Sequence, residues 1–110
     1  MTLWNSTPAY LQLLLEAPGV VLPPSLRLVM LSGDWIPLAL ARRLRAEHPG
    51  VALWSLGGAT EAAIWSIWHP VERVEEGWTS IPYGRPMANQ RFHILDDQLR
   101  PCPQGETGQL

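Results

Sequence analysis

Lysine is absent from the 110 residues, and all eight basic side chains are arginines. No ε-amino group is therefore available for a Schiff base or for a point-charge grip on phosphate. Cysteine occurs once, as Cys102 between Pro101 and Pro103. One thiol makes neither an intramolecular disulfide nor a cysteine-based zinc site, and it fits a reducing, cytoplasmic compartment. No apolar run approaches the roughly 18 residues of a membrane span, and Met1-Thr2-Leu3-Trp4-Asn5 lacks the basic-then-apolar pattern of a secretory leader. Ten acidic residues against eight Arg give a net charge of −2. That balance leaves no phosphate-tracking surface and no polybasic anchor, so neither nucleic acid nor a membrane is an expected partner. His48, His69 and His93 share no metal-ligand spacing. The chain also lacks a Gly-x-Ser-x-Gly elbow, a Gly-x-Gly-x-x-Gly turn and a Gly-x-x-x-x-Gly-Lys loop.

What is present is an alternation of apolar strands and amphipathic helices. Thr2-Leu3-Trp4 reads as the tail of a strand, and Ser6-Thr7-Pro8 supplies a helix cap with proline at the first helical position. The helix runs to about Glu16, with Leu11, Leu14 and Leu15 on one face. Leu26 to Leu31 is a nearly continuous apolar run, the pattern of a strand covered on both faces in a parallel sheet. After the Ser32-Gly33-Asp34 turn, Pro37 opens a helix carrying Leu40, Ala41 and Leu44 inward and Arg42, Arg43 and Glu47 outward. Val51 to Leu56 is a further buried strand. Gly57-Gly58 turns it into a predicted helix from Thr60 to Trp68, stopped by Pro70. Residues 1–70 thus read as a β-α-β-α-β-α core. Residues 71–110 read as loop and strand, with Arg91 to Leu95 alternating as a strand and Gly105 to Leu110 entering another.

Right-handed crossovers align the carboxyl ends of parallel strands on one sheet edge, where ligands bind. The residues expected there are Asn5, Ser32 with Gly33, and Leu56 with Gly57 and Gly58. Ile64 and Trp65 would close the same cavity. The Gly57-Gly58-Ala59-Thr60-Glu61 stretch suits a phosphate and its metal, since glycines admit a ligand and a carboxylate there can hold Mg²⁺. The same residues also suit a tight strand-to-helix turn with Thr60 as cap and Glu61 facing the helix dipole. Asn5 and Ser32 read equally as turn residues, and Trp65 with Ile64 and Trp68 as core.

Ser55-Leu56-Gly57-Gly58-Ala59-Thr60-Glu61 resembles the Asn-x-Tyr-Gly-Pro-Thr-Glu motif of adenylation domains in nonribosomal peptide synthetases. Leu26 to Asp34 resembles the strand and turn that precede it. Ile81-Pro82-Tyr83-Gly84-Arg85-Pro86 with Asn89 resembles the family's Pro-x-Gly-Arg-Pro segment. Ile94-Leu95-Asp96 and Gly105-Glu106-Thr107-Gly108-Gln109-Leu110 fit its next strand and the start of its Gly-Glu-x-Gly-Glu-Leu motif. The resemblance spans the whole chain in order. It implies an α/β fold: a partial parallel sheet with crossover helices and a C-terminal β segment, from the large amino-terminal subdomain of an adenylate-forming enzyme.

The resemblance implies the site roles as well. Thr60 would contact the phosphates of ATP and Glu61 would help bind Mg²⁺, while Gly57, Gly58 and Ala59 would border adenine, with Gly33 in the nucleotide-binding set. Two positions depart from the motif: its aromatic residue is Gly57 here and its proline is Ala59, so adenine must be sandwiched differently or more weakly. The family's amino-acid pocket falls on Asn5, Met30, Ser32, Leu56, Ile64 and Trp65. This set is similar to that of cysteine-activating domains of thiazoline-forming siderophore synthetases, with Met30 where leucine is commoner, and serine or threonine remains possible. The implied partners are the amino acid, a carrier domain bearing phosphopantetheine, and condensation or cyclisation domains of the same synthetase. The upstream phosphate loop, the ribose-binding aspartate, the lid and the catalytic lysine are not among these residues, so the isolated chain is expected to be inactive. Two other readings stand beside this one: an inactive truncated remnant, and a stand-alone non-catalytic α/β binding module.

Overall fold

The computed structural model describes residues 1–110. Five strands and two helices follow one another as β1 (Leu3–Ser6), α1 (Pro8–Glu16), β2 (Leu28–Leu31), α2 (Leu38–Glu47), β3 (Ala52–Gly57), β4 (Ile67–Pro70) and β5 (Arg85–Pro86). The sheet order is β1-β2-β3-β4-β5. The first three strands are parallel, with Asn5 level with Met30 and Met30 level with Trp54. β4 then pairs antiparallel with β3, and β5 pairs antiparallel with β4. The expected α/β class, a partial parallel sheet with crossover helices and later β structure, is what the chain adopts.

The strand order advances without reversal, so two crossovers of one hand put α1 and α2 on the same face. Leu11 from α1 and Leu40, Ala41 and Leu44 from α2 meet Val29, Leu31 and Leu53 there, in one apolar cluster that includes Val71 and Ile81. Leu14 and Leu15 pack against its margin, so the inward face expected for α1 is the one observed. The opposite face carries no helix, which corrects the expectation of a strand covered on both sides. β2 alternates half-buried Leu28 and Met30 with buried Val29 and Leu31. On that open face Trp54 leans on Trp68 of β4, with ring centroids 5.0 Å apart.

Backbone ends are satisfied by interactions that lie outside local sequence patterns. Pro8 opens α1 as expected, but Thr7 makes no side-chain cap bond. The Ser6 hydroxyl instead accepts from Trp4 Nε1 at 2.7 Å and donates to the Thr7 carbonyl at 2.8 Å. At the other end, Arg43 of α2 donates through Nη2 to the Leu15 carbonyl at 2.8 Å while its Nε pairs with Glu47. An outward-facing arginine thus ties the two helices together by covering a free carbonyl at the end of α1.

The predicted helix from Thr60 to Trp68 does not form. A single 3₁₀ turn, Thr60–Ala62, is followed by left-handed residues Ala63 (φ 61°) and Ile64 (φ 69°), and the chain re-enters the sheet as β4. Ser66 N–H donates to the Gly57 carbonyl and Val71 N–H to the Leu53 carbonyl, both at 2.8 Å. Those carbonyls on the open edge of β3 favour a strand over a lone helical segment too short to nucleate stably. Arg91 to Leu95 likewise forms no continuous strand: Leu95 makes only isolated bridges to Pro101 and Gln109. No residue after Ile81 is buried, and the radius of gyration of 15.8 Å exceeds the roughly 13 Å of a compact chain of this length, so the C-terminal segment projects from the core.

His69 on β4 is held below the ordinary imidazole value, first by burial and then by the charge of Arg85, with Glu72 opposing both. A lowered value means the unfolded chain binds the proton more readily, so stability is present above the unfolded value and is lost as pH falls. The urea midpoint is expected to drop on acidification through about pH 6.5, the ordinary histidine range. That drop should flatten in His69→Gln; an unaltered slope in the variant would assign it to other groups.

Candidate active site

At the carboxyl edge of β2 and β3 the sheet opens into a cavity of about 730 Å³. β2 delivers Ser32 and Gly33, whose position is held by Ser32 N–H donating to the Ser6 carbonyl at 3.2 Å. β3 delivers Leu56 and Gly57, and the turn beyond it delivers Gly58, Thr60, Ile64 and Trp65. Eight of the twelve residues expected at the site therefore line one space. They converge because parallel strands end at the same edge, and because the β3–β4 turn folds back over it.

The other four are placed differently. Asn5 is an exposed residue of β1, and Met30 is half-buried on β2; neither lines the cavity. Strand alternation nonetheless puts Asn5, Met30, Trp54 and Leu56 on the same open face of the sheet, the face away from the helices. Ala59 and Glu61 are exposed and lie outside the lining. The anion attraction expected from a helix N-terminus after Gly58 has no such source, since a three-residue 3₁₀ turn builds no appreciable macrodipole. Any phosphate there would meet loop N–H groups and the Thr60 hydroxyl.

The turn itself is strained and tightly bonded. A β-branched residue at positive φ, as at Ile64, costs about 1–2 kcal/mol. It is held by Ile64 N–H to the Ala59 carbonyl at 3.0 Å and by Trp65 N–H to the Ala63 carbonyl at 2.7 Å. Ser66, 1% exposed, lies directly beneath Gly58, and its hydroxyl has no partner.

Several lining residues lie outside the expected set: Asp34, Trp35, Ile36, Ser55, Ile81, Tyr83 and Leu110. The Asp34 carboxylate accepts from Trp35 N–H at 2.7 Å and so shapes the turn after Ser32. Tyr83 comes from the Pro82-Tyr83-Gly84-Arg85-Pro86 motif, and its ring fills the space that the missing side chain at Gly57 leaves. Across the fold, no three His, Cys, Asp or Glu side chains group as a metal site.

The profile of the AMP-binding enzyme family matches residues 1–110. The chain is 46% identical over 111 residues to bacitracin synthase 1 of Bacillus licheniformis, covering all of this chain and 2% of that protein. It is 47% identical over 113 residues to pyochelin synthetase PchF of Pseudomonas aeruginosa, covering all of this chain and 6% of that protein. Among solved structures, the nonribosomal peptide synthetase FmoA3 in its α-methyl-L-serine-AMP-bound form superposes with a TM-score of 0.82 at 50% identity, over 94% of this chain and 12% of that one. The chain thus spans a small part of the relatives it matches. With a whole-length profile match and a strand-edge site in the same fold, the chain belongs to the AMP-binding enzyme family, as a stretch of a nonribosomal peptide synthetase adenylation domain.

Proposed function

We propose that these residues form part of the site at which an adenylation domain activates a small amino acid, cysteine, as its aminoacyl-adenylate. The observation that carries this reading is the convergence of Ser32, Leu56, Gly57, Gly58 and Thr60 on one cavity at the sheet edge. In the reaction a carboxylate oxygen of the amino acid bonds to the α-phosphorus of ATP and the bond to the leaving pyrophosphate breaks. Positioning and charge neutralisation supply most of the acceleration in such chemistry. Thr60 would hold phosphate oxygens, with Gly33, Gly58 and Ala59 bordering the nucleotide. Glu61, free in solvent, fits a Mg²⁺ ion, which takes one or two carboxylates and fills its shell with phosphate oxygens and water.

For the amino acid, Ser32 offers a hydroxyl beside the apolar Leu56 and Ile64, while Trp65 limits bulk. Asn5 and Met30 would complete the pocket along the open sheet face. The α-methyl-L-serine in the FmoA3 complex is a small β-substituted amino acid of similar size to cysteine, and this supports the size class. Residues 1–70 would form the core portion and 71–110 the loop and strand portion of the domain. A carrier domain with phosphopantetheine would receive the product, beside condensation or cyclisation domains in the cytoplasm.

The test is ATP–pyrophosphate exchange by a complete adenylation domain containing residues 1–110, for instance FmoA3 with its corresponding segment exchanged. Cysteine should be preferred over phenylalanine. Ser32→Ala should cut the preference for cysteine over 2-aminobutyrate about tenfold, the scale of a lost polar anchor. A preference for an aromatic acid would end the cysteine assignment.

A further inference from the structure

We infer that Tyr83 is the surface on which the nucleobase stacks, brought from the segment before β5 to the place where β3 projects no side chain. The inference rests on the nucleotide-site reading above. Gly57, the last residue of β3, faces the cavity, and a Cβ built there would lie 2.7 Å from Tyr83 Cε2 and Cζ and 2.8 Å from its hydroxyl oxygen. The tip of the phenol ring therefore occupies the space in which a side chain at position 57 would begin. Any residue larger than glycine would expel it.

A ring that served only as a core plug would be covered. Tyr83 is instead 42% exposed while lining the cavity with Gly58 and Thr60. Its free surface is turned to the same space as the phosphate-contacting turn, and such a surface stacks planar π systems of any sequence or substituent pattern. Trp35, 69% exposed, stands 6.5 Å away between ring centroids with an interplanar angle of 42°, and gives the cavity an aromatic corner.

The platform is also fixed in position. Two residues earlier Ile81 is anchored in the core at 4% exposure. On the other side Gly84 lies against the carbonyl of Trp68 so closely that no side chain fits. Tyr83 is thus held by its backbone from both directions, which lowers the ordering cost of binding a flat ligand.

The experiment measures AMPPNP and inorganic tripolyphosphate binding by calorimetry on the complete domain carrying residues 1–110. Tyr83→Ala should weaken AMPPNP about tenfold, the usual scale for a lost base–aromatic stack, and leave tripolyphosphate, which has no base, unchanged. Tyr83→Phe should bind both as the parent does. Gly57→Tyr combined with Tyr83→Ala should recover AMPPNP binding by returning a ring to β3. Should Tyr83→Ala not fold, Tyr83→Leu keeps the bulk over Gly57 without the π face and should show the same selective loss. Equal weakening of AMPPNP and tripolyphosphate, or no weakening of AMPPNP, overturns the inference. Tyr83-dependent AMPPNP binding without exchange for any amino acid would instead sink the amino-acid reading alone.

Discussion

Alanine at position 84 is expected to lower the stability of the chain by about 3 kcal/mol, the sum of a strained backbone and a steric clash. Gly84 has φ of +106°, and a Cβ there would run into the Trp68 carbonyl and come within 2.9 Å of His69 Cβ. Neither neighbour can retreat cheaply. Trp68 is paired with Leu56 on one side and Arg85 on the other, so moving its carbonyl disturbs the ladder from β3 to β5. Gly77 offers the control: its φ is +89°, but a methyl group at that position would meet nothing within 4 Å. Gly77→Ala should therefore cost only about 1 kcal/mol, the backbone penalty without the clash. Urea titration followed by tryptophan fluorescence measures both, and equal losses at the two positions would refute the packing argument.

The second large effect is expected in the helix layer. Leu44 on α2 has 0% exposure within the cluster that joins both helices to the sheet. Leu44→Ala should cost about 2–5 kcal/mol, because the transfer energy of the lost methyl groups adds to that of a cavity the neighbours only partly fill. The same substitution at Leu13, 63% exposed on α1, should change stability by less than about 0.5 kcal/mol. A small effect at Leu44 would mean that α2 does not pack where the structure puts it.

These two substitutions probe parts of the fold that differ in how far the sequence reveals them. Leu40, Ala41 and Leu44 recur at helical spacing between Pro37 and His48, so the inward face of α2 could be read from spacing alone. Nothing near Gly84 announces that the Trp68 carbonyl lies against it. The segment from Thr60 to Trp68 shows why. Ile64, Trp65 and Trp68 fit helical spacing, yet branched and aromatic residues suit strands equally well, and short apolar runs do not separate the two. What selected the strand was the row of unpaired carbonyls on β3, a feature of a neighbour and not of the segment.

The candidate site divides along the same line. Ser32, Gly33, Leu56, Gly57, Gly58 and Thr60 follow from strand ends and turns, since two parallel crossovers bring such positions to one edge whatever the remaining packing. The separation of Asn5 from the cavity, the exposed setting of Glu61 and the seat of Tyr83 on Gly57 do not follow from it.

By itself the amino-acid sequence determined the parallel β-α-β-α-β run, the helix faces that bury apolar side chains, and that these 110 residues offer no lysine and no thiol pair. Each is a property of residue identity or of spacing within a few turns of chain. Only the tertiary structure decided that β4 returns antiparallel, that Arg43 closes the end of α1, and that a tyrosine from a distant segment stands in for the side chain that Gly57 lacks. Those outcomes depend on which backbone groups and which volumes remain unfilled after the local elements have formed, and that is a property of the assembled chain.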